Sequence, residues 1–109
     1  MMRLRNLSFA LLASFVAAPV LADCTLPTAP TRIPDGATAA EPEMIAAMQT
    51  LKRYDADVTT YLKCLEFEAK QKRLAKDEQL RRHNEALGVL QSIAGKFNEQ
   101  VRVFKAKAG

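Results

Sequence analysis

An apolar repeat in residues 42–69 is the feature that most limits the folds open to this chain. The repeating side chains are Met44, Met48, Leu51, Val58, Leu62, Leu65 and Ala69. Their spacing alternates near three and four residues, with Asp55 at the skipped position, which is typical of one face of a long helix. Tyr54 and Tyr61 would lie about 70° to one side of this stripe. Such a helix is stable only when its apolar stripe is covered, so the rest of the chain must supply the cover.

A second apolar stripe follows residues 70–79 and comprises Leu80, His83, Leu87, Leu90, Ala94, Phe97, Val101 and Phe104. The segment between the stripes is strongly basic and has no glycine or proline to mark a turn. Residues 70–82 carry six cations: Lys70, Lys72, Arg73, Lys76, Arg81 and Arg82. Two interpretations are open: one unbroken helix, or a reversal near residues 73–77 with Asp77 as the N-cap of a second helix.

We favour the reversal because two stripes of matched length can then bury each other. The predicted fold is all-α, a coiled-coil-like antiparallel hairpin of two helices over residues 42–109, with the basic segment at its tip.

Residues 1–22 are typical of a cleaved signal peptide. Arg3 and Arg5 precede an apolar run at 7–18, and short side chains at 20–22 place cleavage before Asp23. An uncleaved anchor and a lipoprotein acylated at Cys24 are less favoured alternatives. No later segment is apolar enough for stable membrane insertion. We therefore expect an exported protein whose mature chain is soluble.

Charge excludes one class of partner. The chain carries a net charge of +4, and loss of Arg3 and Arg5 with the signal peptide lowers this to +2. That excess is too small to indicate nucleic-acid binding.

Residues 23–41 predict an extended strap and a turn. Pro27, Pro30 and Pro34 recur closely, which favours polyproline-like backbone over helix. A ligand for an SH3-like groove is the less favoured interpretation. The pair Asp35-Gly36 indicates a turn, and residues 38–41 (TAAE) match a capping box just before Pro42.

Cys24 and Cys64 predict a disulfide between the strap and the first helix. An even cysteine count in an exported chain favours this over metal binding. A helix from Glu41 to Cys64 rises about 35 Å, and an extended strap from Cys24 to Glu41 reaches about 50 Å. The strap is therefore long enough to run back, which would place Pro27 and Pro30 over Tyr54 and Tyr61.

The residue types that carry catalysis or bind metals are sparse. His83 is the only histidine and falls on the second stripe, where a packing role is expected. Met44 and Met48 suit helix packing better than soft-metal binding. The carboxylate pairs Asp55/Asp57 and Glu66/Glu68 are two residues apart, so the two members do not share a helix face. We expect no catalytic, cofactor-binding or metal site, and a protein that is not an enzyme.

Val89, Ile93 and Val103 form a further stripe, about 110° from the main one on the second helix. One partner helix cannot cover both stripes. We therefore expect these three residues to form an interface with a protein partner in the cell envelope or with a second copy, most simply as a homodimer.

A whole-chain pattern supports the exported address. It comprises Cys24, Pro27, Pro30, residues 33–36 (IPDG), Glu43, Met44, Tyr54, residues 61–65 (YLKCL), Asn84 and residues 97–105 (FNEQVRVFK). This pattern resembles a family of small exported proteins of Gram-negative bacteria whose function is uncharacterised. The resemblance implies a periplasmic location and no particular activity.

Two functions from different classes fit these expectations. The first is a non-enzymatic periplasmic interaction module that docks on an envelope partner or self-associates. The second is a holdase-type periplasmic chaperone for unfolded envelope proteins. Adhesion of the basic tip to a membrane surface is a third, weaker possibility, since only Leu74 and Leu80 would supply apolar contact there.

Overall fold

The computed structural model describes residues 24–108, and the predicted two-helix hairpin is confirmed. Helix α1 spans Glu41–Lys70 and helix α2 spans Lys76–Ala108. Their 30 and 33 residues correspond to lengths of about 45 and 50 Å. A short turn at 71–75 reverses the chain, so the interpretation as one unbroken helix is wrong. The described residues contain no strand.

The packing seam on α1 has a heptad spacing, but its register differs from the predicted one at every second position. Positions 44, 51, 58 and 65 are buried or half-buried as expected. The alternate seam positions are 47, 54, 61 and 68, one residue earlier than the predicted 48, 55, 62 and 69. Tyr54 and Tyr61 are therefore core residues, and Asp55 is exposed.

Helix α2 shows the same displacement. His83, Leu90, Phe97 and Phe104 lie on the seam as predicted. Between them Ala86 is fully buried, whereas Leu80, predicted as a seam residue, is 58% exposed. The preference for the most apolar side chains was misleading, because burial is centred nearer the strap side of both helices.

The strap explains this displacement. Cys24 and Ala29 pack against the larger core cluster, which is formed by Tyr54, Val58, Tyr61, Leu65 and Ala86. The helix pair is thus covered on one side by a third element. The tyrosine rings supply a large apolar surface to this cluster. Burial raises the pKa of the Tyr54 hydroxyl above its usual value.

The reversal at 71–75 needs no glycine or proline because it is a helix C-terminal motif built on Lys72. Lys72 has a φ of 58°, in the left-handed region. Its N–H donates to the carbonyl of Ala69 at 3.0 Å, and the Arg73 N–H donates to the carbonyl of Glu68 at 2.9 Å. These two bonds form a Schellman motif, which satisfies carbonyls at the end of α1 and ends the helix.

Both helix starts differ from the predicted capping. Helix α1 begins at Glu41 after Ala40, which makes no side-chain cap, so the predicted capping box is absent. Helix α2 begins at Lys76, so Asp77 lies inside its first turn and is not the N-cap. Acidic residues nevertheless occupy both first turns, where they interact favourably with the helix dipole.

Candidate interaction surfaces

The predicted disulfide fastens the strap to α1. Cys24 and Cys64 are bonded, with their Cα atoms 5.6 Å apart. Pro27 and Pro30 are half-buried, and Tyr54 and Tyr61 are buried in the cluster against which the strap packs. The first part of the strap therefore lies along the tyrosine side of the hairpin.

Further along, the strap crosses from α1 to α2. Pro30 and Ile33 lie close to Leu51 of α1 and to Ile93 and Phe97 of α2, around a space of about 60 Å³. A space of this size does not hold a substrate or cofactor. The strap is thus a packing element at this crossing.

The strap ends in a turn that docks on α2 at the end of the hairpin opposite its tip, and we call this region the strap-turn end. The Gly36 N–H donates to Oε1 of Gln100 at 2.9 Å. A Cβ at position 36 would overlap the Gln100 carbonyl oxygen and lie 2.8 Å from the Phe104 nitrogen. Lys107 Nζ donates to the Ala39 carbonyl at 2.9 Å. Gly36 is therefore needed for close approach of two backbones.

The three residues predicted as an interface do not share one environment. Ile93 is half-buried and packs against the larger core cluster. Val103 is also half-buried, and Val89 is 40% exposed. Because Ile93 belongs to the packing seam between the helices, the three residues do not form one continuous exposed surface.

The opposite side of the hairpin carries the residues that the sequence had suggested as seam. Cys64 is bonded to the strap, and Leu62, two residues earlier, points about 160° away from it. On α2, Lys96 borders the strap beside Ile33, and Ala94 is likewise two residues earlier. The columns that include Leu62 and Ala94 therefore face away from the strap.

We call this surface the open face. Its eight positions are Met48, Asp55, Leu62 and Ala69 on α1, and Leu80, Leu87, Ala94 and Val101 on α2. Seven of the eight are apolar, and Asp55 carries the single charge. Met48 is 39% exposed and neighbours Ile45, which is 43% exposed. Ile45 lies outside the predicted stripe, so the spacing of that stripe does not identify it as part of this face.

The hairpin tip has a different character. An open cleft of about 740 Å³ is bordered by Lys70, Lys72, Arg73 and Lys76. Arg73 closes the turn through two hydrogen bonds to the buried carboxylate of Glu68, at 2.7 and 3.0 Å. These bonds lower the pKa of Glu68 below its usual value.

Arg73 also lies over the ring of Phe67, 5.6 Å from its centroid. Phe67 is 53% exposed and was not singled out from the sequence, because it points away from the seam. The tip is thus a compact basic surface with one exposed aromatic ring.

The residues considered for catalysis or metal binding lie apart from one another or in structural contacts. Residues 24–108 contain no group of three or more His, Cys, Asp or Glu side chains placed to hold a metal ion. Both cysteines are in the disulfide, and His83 is half-buried on the seam. Of the carboxylate pairs, Glu66 bonds Lys70, Glu68 bonds Arg73, and Asp55 and Asp57 are exposed. Neither helix in this part of the chain could span a membrane.

No known protein family, curated protein or solved structure matches the chain. The predicted signal peptide lies outside the described residues.

Proposed function

We propose that the mature chain is a non-enzymatic interaction module of the periplasm, which binds a protein partner in the envelope or a second copy through the open face. The observation that supports this most is the asymmetry of the hairpin. One side is covered by the strap, and on the other Met48, Leu80 and the neighbouring Ile45 are exposed beside five half-buried apolar residues. An apolar surface of this kind on a water-exposed helix pair is typical of a protein interface.

The Cys24–Cys64 disulfide supports the periplasmic address, since such bonds persist in oxidising compartments. The disulfide and the docked Gly36 also hold the helix pair in one shape. A rigid surface loses less conformational entropy on binding than a mobile one.

Crosslinking in intact envelopes tests this function. We expect a photo-crosslinker at position 48 to capture a protein or a second copy of the chain, and the same crosslinker at the exposed strap position 26 to capture neither. Capture from both positions, or from neither, would contradict a specific role for the open face.

The chaperone alternative makes a different prediction. A holdase would suppress aggregation of an unfolded outer-membrane protein near equimolar ratio. Light scattering measures this directly, and suppression that is insensitive to Met48→Asp would favour a chaperone surface elsewhere.

A further inference from the structure

We infer that the occupant of the open face is a second copy of this chain, which gives a two-fold dimer with a four-helix core and the two straps outside. This inference rests on the proposed function, because it names the partner of the same surface.

The strap limits how far association can proceed. A bare pair of amphipathic helices has two sides that can pack against further copies, and repeated packing on both sides would build an open assembly. Here Cys24, Ala29 and the strap prolines occupy one side, so only one side remains for a partner. A single self-complementary surface closes after two copies, which is the condition for a two-fold dimer.

The size of the open face matches what a dimer needs. Helix α1 is about 45 Å long, and two packed helices are about 15–20 Å wide. The face therefore covers roughly 700–900 Å² per copy, close to the 800 Å² per partner of a standard specific interface.

The partial burial of the apolar side chains on this face also suits a second copy as partner. Leu62, Leu87, Ala94 and Val101 are already half-buried by the helix pair, so a partner would only have to complete their cover. Met48 near one end and Leu80 near the other are exposed and would become buried. Two four-residue columns per copy then form the central layer of a four-helix arrangement.

Asp55 sets the strength of this association. It lies in the middle of the α1 column, is exposed, and takes part in no ion pair among the described residues. Bringing two copies together would partly desolvate two Asp55 carboxylates, which costs free energy and keeps the dimer reversible. Removal of this charge should tighten the dimer.

Sedimentation equilibrium of the mature protein with its disulfide intact tests the inference. We expect twice the monomer mass at micromolar concentration, within the affinity range of interfaces of this size. Met48→Asp with Leu80→Asp should raise the dissociation constant at least about a hundredfold, because two side chains lose their burial and gain charge. Asp55→Ala should lower it by about tenfold.

The matched control is Leu26→Asp with Val89→Asp. These residues are 47% and 40% exposed, comparable to the test pair. Leu26 belongs to the strap, and Val89 lies two helical turns before Lys96, which borders the strap. We expect the control to dimerise like the wild type and both double variants to keep helical circular dichroism. Because all four residues are exposed, unfolding is not expected, and Asp55→Ala tests the inference in the opposite direction.

Each outcome decides a separate question. A wild type that stays monomeric up to about 100 μM would overturn the dimer, since interfaces of this size reach micromolar affinity or better. Equal loss in the control would overturn the assignment of the face. If the chain is monomeric yet Leu80→Asp abolishes the envelope crosslink from position 48, the interaction module stands and the second copy falls.

Discussion

The two ends of the hairpin are fastened by different physical means. At the strap-turn end, Gly36 lets the strap turn approach the backbone of α2, and neutral groups make the contact between Gly36 and Gln100. At the tip, a left-handed Lys72 and the charged pair Glu68–Arg73 end one helix and position the next. Close approach of two backbones, with one hydrogen bond from Lys107 to the Ala39 carbonyl, therefore fastens one end. Backbone conformation and a buried ion pair fasten the other. Substitutions that are harmless at one end should be damaging at the other.

The largest expected effect is loss of the disulfide, which links the strap to the tip-proximal half of α1. Cys24→Ser with Cys64→Ser opens a loop with a sequence separation of 40. We expect destabilisation of about 4 kcal/mol on the chain-entropy account. Denaturant unfolding measures it.

Hydrogen exchange on the same variant sharpens the comparison. Residues 24–34 should lose protection, whereas the Gly36 N–H should keep it because Gln100 holds it independently. Loss of protection at the Gly36 N–H as well would mean that the disulfide also fastens the strap-turn end.

The next largest effect is expected from replacing Gly36 by alanine, compared with the same replacement at Gly88. Gly36→Ala places a methyl group against the α2 backbone and should destabilise by about 1–3 kcal/mol. Gly88→Ala is the matched control, because a Cβ there meets no atom within 4 Å. We expect it to stabilise the helix by about 1 kcal/mol. Thermal unfolding of the two variants should shift in opposite directions, and equal shifts would refute close approach as the reason for Gly36.

A smaller effect concerns the tip. Lys72→Gly should stabilise by about 1 kcal/mol, because glycine adopts the left-handed conformation without the steric cost that lysine has. Gln71→Gly is the control. Its φ of −79° is ordinary, so glycine there should only add unfolded-state entropy and destabilise. Chemical denaturation compares them, and a destabilising Lys72→Gly would argue against the Schellman motif.

The smallest effect is the response to acid, and it should appear only near the tip. Hydrogen bonds from Arg81 and Arg82 lower the pKa of Glu78 from 4.5 to about 2. A carboxyl whose pKa is lowered by folding stabilises the fold above pH 4.5. That contribution is lost as the pH falls from 4.5 towards 2. Water screens these exposed pairs, so the change should be modest.

Hydrogen exchange near pH 3 should show the start of α2 opening before residues 97–107. Glu78→Gln should be less stable than the wild type at pH 6 and equal to it near pH 2. A difference that persists at pH 2 would assign the effect to packing.

The apolar residues of the open face are recognisable from the sequence, but their orientation relative to the seam is not. The apolar columns at 48, 62 and 69 and at 80, 87, 94 and 101 were correctly recognised as repeats on helices. They were placed in the seam because they are more apolar than their neighbours Ala47, Glu68, Gln79 and Gln100. Helical periodicity gives the direction of a stripe only to within about one residue, so it could not choose between adjacent columns.

The seam register depended on a third element. Gln100 is at a seam position because it binds the Gly36 N–H of the strap turn, 64 residues earlier in the chain. No sequence pattern connects two residues so far apart. The predicted interface of Val89, Ile93 and Val103 depends on the same element, since Ile93 packs against the core cluster that the strap also contacts.

Some features followed from local sequence alone. Apolar spacing determined two long helices, close prolines determined an extended strap, and two cysteines with sufficient chain between them determined the disulfide, because each depends on short-range geometry or chain reach. The tertiary structure decided the register of the seam and the role of Gly36. Those features depend on the strap, the helices and the turn packing together, and the free energy of that packing is not contained in any one segment.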